Sequence, residues 1–362
     1  SKESGCVKMT VREINRFFLL VSAPFVGMIV WLFIAGFSIE APKLTFAPLQ
    51  LFTLQNETAP IHHGLDQAGT NVSAIRDTIA KFHELYEKSA SLSSAMVRVA
   101  TAQAARPEQI FEGRLVAQFG KPIRTVSSDK IDLKLYSFTD PNYKGYALKV
   151  NLKSKSAMKM VLGKDKVGGA ETTLEAARRY GAVAGVNAGG FADGQDGKRY
   201  PLSTTIVDGK YVYGFEPSYD HLAFFCLSED GKLIGGKFYR QQDLDKLKPA
   251  FGATFVPVLL KNGVKQEIPS KWLNSPRRAP RTVVGNFGND QLLFIVVDGY
   301  NENGSSGATL PELQDRLSRL RIRDAYNLDG GGSSSLVFQG QVINKPSDGR
   351  LRLLPTHFLF FK

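Results

Sequence analysis

Ala325-Tyr-Asn-Leu-Asp-Gly-Gly-Gly-Ser-Ser-Ser335 joins an apolar run to an aspartate, three consecutive glycines and three hydroxyl side chains. Glycines reach positive φ and let the backbone approach a ligand closely, while their N–H groups and the serines can donate hydrogen bonds. The stretch lacks the lysine of a phosphate-binding P-loop. It predicts a loop at the end of a buried strand that holds an anionic group.

Three segments of similar design lie upstream of the triple glycine. They are Gly185-Val-Asn-Ala-Gly-Gly-Phe191, Arg281-Thr-Val-Val-Gly285 and Phe294-Ile-Val-Val-Asp-Gly299. Taken in order, the four segments resemble the phosphodiester glycosidase family over roughly residues 130–362. The chain departs from the family pattern at Asn187-Ala-Gly-Gly, where Asn-Gly-Gly-Phe is usual. Its Arg350-Leu-Arg-Leu-Leu-Pro-Thr356 matches the closing motif only loosely.

The resemblance implies an enzyme that cleaves a sugar from a phosphodiester. Such cleavage passes through an oxocarbenium-like transition state, and the departing phosphate is already a good leaving group. Donors and cations around the phosphate can therefore replace a carboxylic acid, so one working carboxylate is expected. Asp298 and Asp329 are the candidates, as base or nucleophile, and the sequence does not rank them. Either Asp-Gly pair could instead close a hairpin turn.

The expected substrate-binding residues come from the same segments. Arg281 offers a planar fork suited to phosphate, and the resemblance favours this role over a pair with a surface acid. Phe191 could stack on a sugar or belong to the core. The full set comprises Asn187, Gly189, Gly190, Phe191, Arg281, Thr282, Gly330, Gly331, Gly332, Ser333, Ser334 and Arg352.

The sequence leaves metal use open and indicates no other cofactor. No His/Cys cluster has zinc spacing. Four carboxylates could together hold calcium, namely Asp193, Asp196, Asp298 and Asp329. The nucleophile elbow Gly-x-Ser-x-Gly is missing, which disfavours serine catalysis.

Residues 17–39 contain no charge and are numerous enough to cross a bilayer as a helix. Lysine or arginine occupies positions 2, 8, 12 and 16, whereas only Lys43 follows closely, so residues 1–16 are expected in the cytoplasm and the rest outside. A cleaved signal peptide is the alternative, but its apolar region would be shorter. In this topology Cys6 and Cys226 lie on opposite sides and form no disulfide, and Cys226 is expected in the core.

A net charge of +12 is compatible with several anionic partners. Outside a membrane, an anionic polymer or lipid is expected rather than nucleic acid. A solvated basic surface without a specific ligand would account for the charge equally well.

Between the anchor and the enzyme-like part, residues 40–70 are expected to form a linker and residues 71–106 an amphipathic helix. Its apolar positions are Val72, Ile75, Ile79, Phe82 and Tyr86, and Arg106-Pro107 is its expected end. The helix could serve as a stalk or oligomerisation element, or pack on its own domain.

Residues 107–362 form the enzyme-like domain in this reading. Short apolar runs alternate with turn pairs such as Asp208-Gly209, and helices stand out only around 174–180 and 310–320. This pattern predicts an α+β fold with a mixed, largely antiparallel sheet flanked by a few helices. The overall interpretation is a membrane-anchored extracytoplasmic hydrolase of glycosyl phosphodiesters. The alternatives are a non-catalytic glycan-binding or assembly subunit of a membrane complex, and a phosphodiesterase that cuts the P–O bond on the other side.

Overall fold

The structure, a computed structural model, describes residues 59–299 and 306–362. Contacts divide the chain into two compact units, residues 1–86 and 87–362. The expected tail, the expected anchor at 17–39 and most of the expected linker lie outside the described residues. Among the helices that are described, none is long and apolar enough to span a bilayer.

The first described element is helix α1 (Ala59–Phe119), which extends past both ends of the helix expected at 71–106. The expected end at Arg106-Pro107 was wrong, because Pro107 lies inside the helix. Proline removes one helical hydrogen bond. Phe111, Leu115 and Phe119, four residues apart, are each buried in the second unit. Burial of three large apolar side chains outweighs the loss at Pro107.

The apolar stripe predicted on the N-terminal half of α1 is exposed. Ile75 retains 59% of its accessible surface and Phe82 retains 68%. Val72, Ile79 and Tyr86 are similarly exposed.

Four further α-helices follow in the second unit: α2 (Thr173–Tyr180), α3 (Gln241–Asp245), α4 (Ser270–Asn274) and α5 (Leu310–Arg319). Helices α2 and α5 confirm the two helices expected from the sequence. Thr172 and Thr309 each start their helix with a capping box, completed by a glutamate three residues later.

Strands dominate the second unit. In chain order they are β1 (Arg124–Ser127), β2 (Ile131–Asp140), β3 (Tyr143–Leu152), β4 (Met158–Leu162), β5 (Ala184–Asn187), β6 (Phe191–Asp193), β7 (Arg199–Pro201), β8 (Ile206–Val207), β9 (Lys210–Tyr211), β10 (Ala223–Ser228), β11 (Leu233–Gly236), β12 (Pro249–Phe255), β13 (Val258–Lys261), β14 (Val264–Lys265), β15 (Arg281–Asn286), β16 (Leu292–Val297), β17 (Asp324–Asn327), β18 (Leu336–Phe338), β19 (Gln341–Val342) and β20 (Thr356–Phe360).

The strands form three sheets and one separate hairpin. The largest sheet has the order β1-β2-β3-β16-β15-β17-β13-β14. The other two are β11-β10-β12-β8-β9 and β19-β18-β5-β20-β4, and the hairpin is β6-β7. Every strand pairing in the described part of the chain is antiparallel, as in β15 with β16 and β17. The α+β class is confirmed, but several antiparallel sheets replace the single mixed sheet that was expected.

One central core joins the three sheets, and a second lies behind the largest sheet. Strand β16 is buried on both faces because alternate side chains enter different cores. Phe294 and Val296 belong to the shared core, whereas Leu293 and Ile295 belong to the core under α1 and α5. Cys226 on β10 is buried and free, as expected, and its burial raises the pKa of the thiol to about 12.

The register of the largest sheet brings together the strand ends that carry the sequence motifs. Arg281 pairs with Val297, and Val283 pairs with Asn327. The start of β15 therefore lies beside the ends of β16 and β17. Strand β5, in a different sheet, ends at Asn187 against this same edge, since Asn187 hydrogen-bonds to Thr282.

Candidate active site

The buried side chain of Asn187 connects two sheets at this edge. Its Oδ1 accepts hydrogen bonds from Thr282 Oγ1 at 2.9 Å and from the Ser335 N–H at 3.1 Å. Its Nδ2 donates to the Asp329 carbonyl at 2.7 Å. Asn187 thus fixes three motif segments relative to one another.

A second asparagine, Asn344, connects Asp298 to the hydrogen bonds around Asn187. Its Nδ2 donates to Asp298 Oδ1 at 3.1 Å and to the Ser334 carbonyl at 2.9 Å. The Ser334 hydroxyl in turn lies 3.1 Å from the hydroxyl of Thr282. A continuous chain of polar contacts therefore runs from Asp298 through Asn344, Ser334 and Thr282 to Asn187, and we call it the polar network.

Both carboxylate oxygens of Asp298 accept hydrogen bonds from the 344–345 segment. Oδ1 is bound by Asn344, and Oδ2 accepts from the Lys345 N–H at 2.8 Å. Burial raises the pKa of Asp298, and these two donors, with the positive charges of Lys144 and Lys345, oppose the rise. The carboxyl is therefore held in place at the end of β16.

Asp329 follows β17, and its backbone is held from both sides. Its N–H donates to the Ala188 carbonyl at 3.3 Å, and its carbonyl accepts from Asn187. The preceding Leu328 N–H donates to the Thr282 carbonyl at 2.8 Å. The residue is half-buried, with carboxylate oxygen Oδ2 fully buried, and these backbone hydrogen bonds fix its position at the start of the triple-glycine loop.

The triple glycine begins a 3₁₀ turn at Gly331–Ser333. Gly331 has a φ of 58°, and its N–H donates to the Pro280 carbonyl at 2.9 Å. Arg352 lies against Gly332, since a Cβ there would be 2.1 Å from Arg352 Nη2. Arg352 also donates to Asp348 Oδ2 at 2.8 Å and reaches Ser333 Oγ at 3.4 Å. The structure therefore brings Arg352 to the loop, and its substrate-binding role stays a prediction.

Arg281 lies on the opposite face of β15 from Thr282, because neighbouring strand residues alternate in direction. Its guanidinium donates to three backbone carbonyls, those of Pro276, Arg277 and Ala308. Burial lowers the pKa of Arg281 to about 10. The side chain is thus separate from the polar network, and its phosphate-binding role stays a prediction.

Gly189 and Gly190 pack against β12. A Cβ on Gly189 would lie 2.6 Å from Ala253 Cβ, and one on Gly190 would lie 2.6 Å from the Phe255 ring. Both glycines therefore permit close packing between sheets. Phe191 is half-buried, and the guanidinium of Arg199 lies 4.9 Å from its ring centroid.

The four aspartates considered for calcium are not gathered into one site. Asp193 pairs with Arg199 at 3.0 Å. Asp196 accepts from the Tyr200 hydroxyl at 2.6 Å, which lowers the pKa of Asp196 to about 2. Within residues 59–299 and 306–362, no group of three or more His, Cys, Asp or Glu side chains could hold a metal ion.

Comparison with known proteins decides the family. The sequence profile of the family described as phosphodiester glycosidase matches residues 180–361, half of the 362-residue chain. The chain belongs to this family. The match covers β5 and β15, which supply Asn187 and Thr282, and β16 and β17, which are followed by Asp298 and Asp329.

Two curated relatives illustrate the spread of the phosphodiester glycosidase family. Bovine N-acetylglucosamine-1-phosphodiester alpha-N-acetylglucosaminidase is 28% identical over 197 residues, covering 49% of this chain and 35% of that protein. An uncharacterized prophage-derived protein of Bacillus subtilis is 28% identical over 183 residues, covering 49% of this chain and 28% of that protein. The chain thus spans about a third of the length of the curated relatives that it matches.

A solved structure supports the phosphodiester glycosidase fold. The catalytic domain of the zebrafish N-acetylglucosamine-1-phosphodiester alpha-N-acetylglucosaminidase, auto-inhibited by its pro-peptide, has a TM-score of 0.53 at 20% identity. The likeness covers 70% of this chain and 92% of that domain. At this identity it establishes shared fold.

Sequence reasoning missed Asn344, Lys345 and Asp348 in this member of the phosphodiester glycosidase family. Asn344 contacts Asp298 and Ser334, and Asp348 binds Arg352. The short apolar run Val342-Ile343 before Asn344 resembles the other strand-to-polar transitions, and it is the one signal that could have indicated the position.

Proposed function

We propose that the protein is a hydrolase that cleaves the sugar from a sugar-1-phosphate diester. The observation that carries the proposal is the polar network, which joins Asp298 to Asn187 and holds Asp329 at the triple-glycine loop beside Arg352. Family membership supports it, as do relatives whose names specify this reaction for N-acetylglucosamine.

In the proposed reaction, water adds to the anomeric carbon while the bond from that carbon to the phosphate oxygen breaks. The bonding electrons leave with the phosphate, which departs as a monoester. Arg352 and the N–H groups of Gly330 and Gly332 stabilise the negative charge on the phosphate, whereas the Gly331 N–H is engaged by the Pro280 carbonyl. Water loses its proton to a carboxylate, and the product is a free sugar.

Asp329 is our candidate for that carboxylate. It is half-buried at the loop, on a backbone fixed by Asn187 and Ala188. Both oxygens of Asp298 are already engaged by Asn344 and Lys345. Asp298 is therefore assigned as a positioning residue that holds the 344–345 segment.

The assignment is tested with a panel of sugar-1-phosphate diesters and product identification by mass. Asp329→Asn should lower kcat by about a thousandfold or more while the protein stays folded, since the amide cannot accept the proton. Asp298→Asn should lower the melting temperature as well as activity. The new amide N–H₂ group would face a hydrogen-bond donor, either the Asn344 side chain or the Lys345 N–H. The surface variant Asp220→Asn is the control. Full activity in Asp329→Asn would remove this carboxylate from the mechanism.

We also propose that residues 17–39 anchor the protein with its enzyme domain outside the cell membrane, so that a surface glycan, teichoic-type polymer or glycolipid is within reach. The uncharged sequence of the segment and the basic residues before it support this topology. Release of the full chain from membranes by alkaline carbonate would count against an integral anchor.

A non-catalytic assembly subunit remains the second candidate because the α1 stripe around Ile75 and Phe82 is exposed. Such a surface suits self-association or a partner in a membrane complex. This candidate predicts no turnover of any phosphodiester by a folded wild-type protein. The product panel therefore separates the two.

A further inference from the structure

A concave, positively charged site lies outside the polar network. It is a pocket of about 560 Å³ between the loop that follows β4 and the β6–β7 hairpin. Its charged lining residues are Lys164, Lys166, Lys198 and Arg199, and Gly168 and Leu353 complete two of its walls. We call it the basic pocket.

The basic pocket carries excess positive charge. Lys198 pairs with Asp196 at 3.1 Å, and Arg199 pairs with Asp193 at 3.0 Å. In the described part of the chain, Lys164 and Lys166 form no ion pair, because the neighbouring Asp165 and Glu171 pair with Arg179, and no carboxylate is among the pocket-lining residues. The charge of Lys164 helps to lower the pKa of Glu175 without a direct contact. Two lysines are therefore available to an anion.

The loop that presents these lysines is fixed before any ligand arrives. The buried carboxylate of Glu171 accepts from the Lys164 N–H at 2.8 Å. Lys164 has a φ of 54°, an unfavourable conformation for a lysine that the surrounding contacts must stabilise. A Cβ on Gly169 would lie 2.2 Å from the Gly163 carbonyl, so the loop folds tightly on itself. Such preorganisation lowers the cost of binding.

Both walls of the basic pocket connect to the candidate active site. Leu353 directly follows Arg352, which contacts the triple-glycine loop at Ser333. On the other wall, Arg199 lies over the ring of Phe191, four residues after Asn187, and donates to the Leu353 carbonyl. A substrate held at Arg352 would therefore continue towards Lys164 and Lys166.

The geometry points to a substrate with more than one phosphate. We infer that the basic pocket binds a second phosphodiester of the same chain, so that the substrate is a glycan with repeated phosphodiesters rather than a molecule with a single one. This inference rests on the proposed function. The group that the basic pocket recognises is a phosphate. A polymer repeat, a free phosphate ion and a lipid headgroup all carry this group, and the experiments below distinguish them.

The kinetic test compares two substrates for the full chain: a methyl diester of N-acetylglucosamine 1-phosphate, and a matched compound that carries a second phosphodiester. In Lys164→Gln/Lys166→Gln, the KM for the longer compound relative to the shorter should rise about tenfold, because charged hydrogen bonds to phosphate are lost. The control Lys121→Gln/Lys130→Gln removes the same charge at exposed positions and should leave the ratio as in wild type. An unchanged ratio in the pocket variant overturns the inference.

A binding test separates this inference from the proposed function. Titration of the full chain with inorganic pyrophosphate by calorimetry should show about tenfold weaker binding in the pocket variant than in the control, whether or not any substrate is turned over. Equal affinity of the pocket variant and the control variant for pyrophosphate overturns the inference that the basic pocket binds phosphate. Phosphatidylglycerol vesicles and a single-stranded RNA serve as competing ligands. The inference is also overturned if either of them binds more tightly than the two-phosphodiester compound and this binding depends on Lys164 and Lys166.

Discussion

His357 is completely buried on β20, where it pairs with Asn187 of β5. Its Nε2 lies 3.1 Å from the Leu354 carbonyl and its Nδ1 lies 3.0 Å from Thr173 Oγ1. A carbonyl only accepts, so Nε2 carries the hydrogen and Nδ1 accepts from the threonine. Burial lowers the pKa of His357 to about 4. The neutral ring is thus part of the support beneath Asn187.

The lowered pKa predicts a pH dependence of stability. The unfolded histidine takes up its proton near pH 6.5, whereas the folded one resists until about pH 4. The contribution of His357 is therefore complete above pH 6.5 and is lost as pH falls towards 4, by about 3 kcal/mol at most. His357→Gln should flatten the fall in unfolding free energy across this window, measured by denaturant titration. The exposed His221→Gln should keep the wild-type slope, and parallel slopes for all three proteins would contradict the assignment.

At the residue scale, the sequence predicted Asn187 but not Asn344. Asn187 ends an apolar run before glycines, which is a local pattern. Asn344 gains its importance from bonds to Leu336, Ser334 and Asp298, and Asp298 lies 46 residues away in the sequence. The sequence also did not predict which face of β15 carries the Arg281 side chain, because the register of the strand in the sheet determines that face.

Among the elements, α1 is one whose existence the apolar periodicity of the sequence predicted but whose C-terminal end it did not. The spacing of apolar residues correctly indicated a helix, but the proline was given too much weight as a stop signal. Phe111 stacks on Phe287 with centroids 4.5 Å apart, a contact between segments far apart in sequence. The last turns of the helix are therefore determined by tertiary burial.

Substitutions on the two parts of α1 should differ sharply in their effect on stability. Phe111→Ala removes a fully buried ring and should lower the free energy of unfolding by about 3 kcal/mol or more. Ile75→Ala, at a position 59% exposed, should change it by less than about 0.5 kcal/mol. Equilibrium denaturant unfolding measures both. A large loss in Ile75→Ala would mean that its side chain is buried in solution, and sedimentation would then show whether a second copy covers it.

At the scale of the whole molecule, the turn pairs and short apolar runs indicated an α+β domain rich in antiparallel strands. They did not indicate that three sheets share one core, because the pairing partners of each strand are set by long-range contacts. β5 shows this: its neighbours are β18 and β20, near the other end of the chain. The candidate site depends on that arrangement, since Asn187 must reach Thr282 from a different sheet.

The central claim is that the bond from the anomeric carbon to oxygen breaks at the polar network. Hydrolysis of a sugar-1-phosphate diester in ¹⁸O-labelled water tests it directly, with mass analysis of the phosphate monoester. The account predicts a free sugar and a phosphate monoester without ¹⁸O, because water adds to carbon. A phosphate product carrying ¹⁸O, or release of sugar phosphate, would show attack at phosphorus and contradict the account.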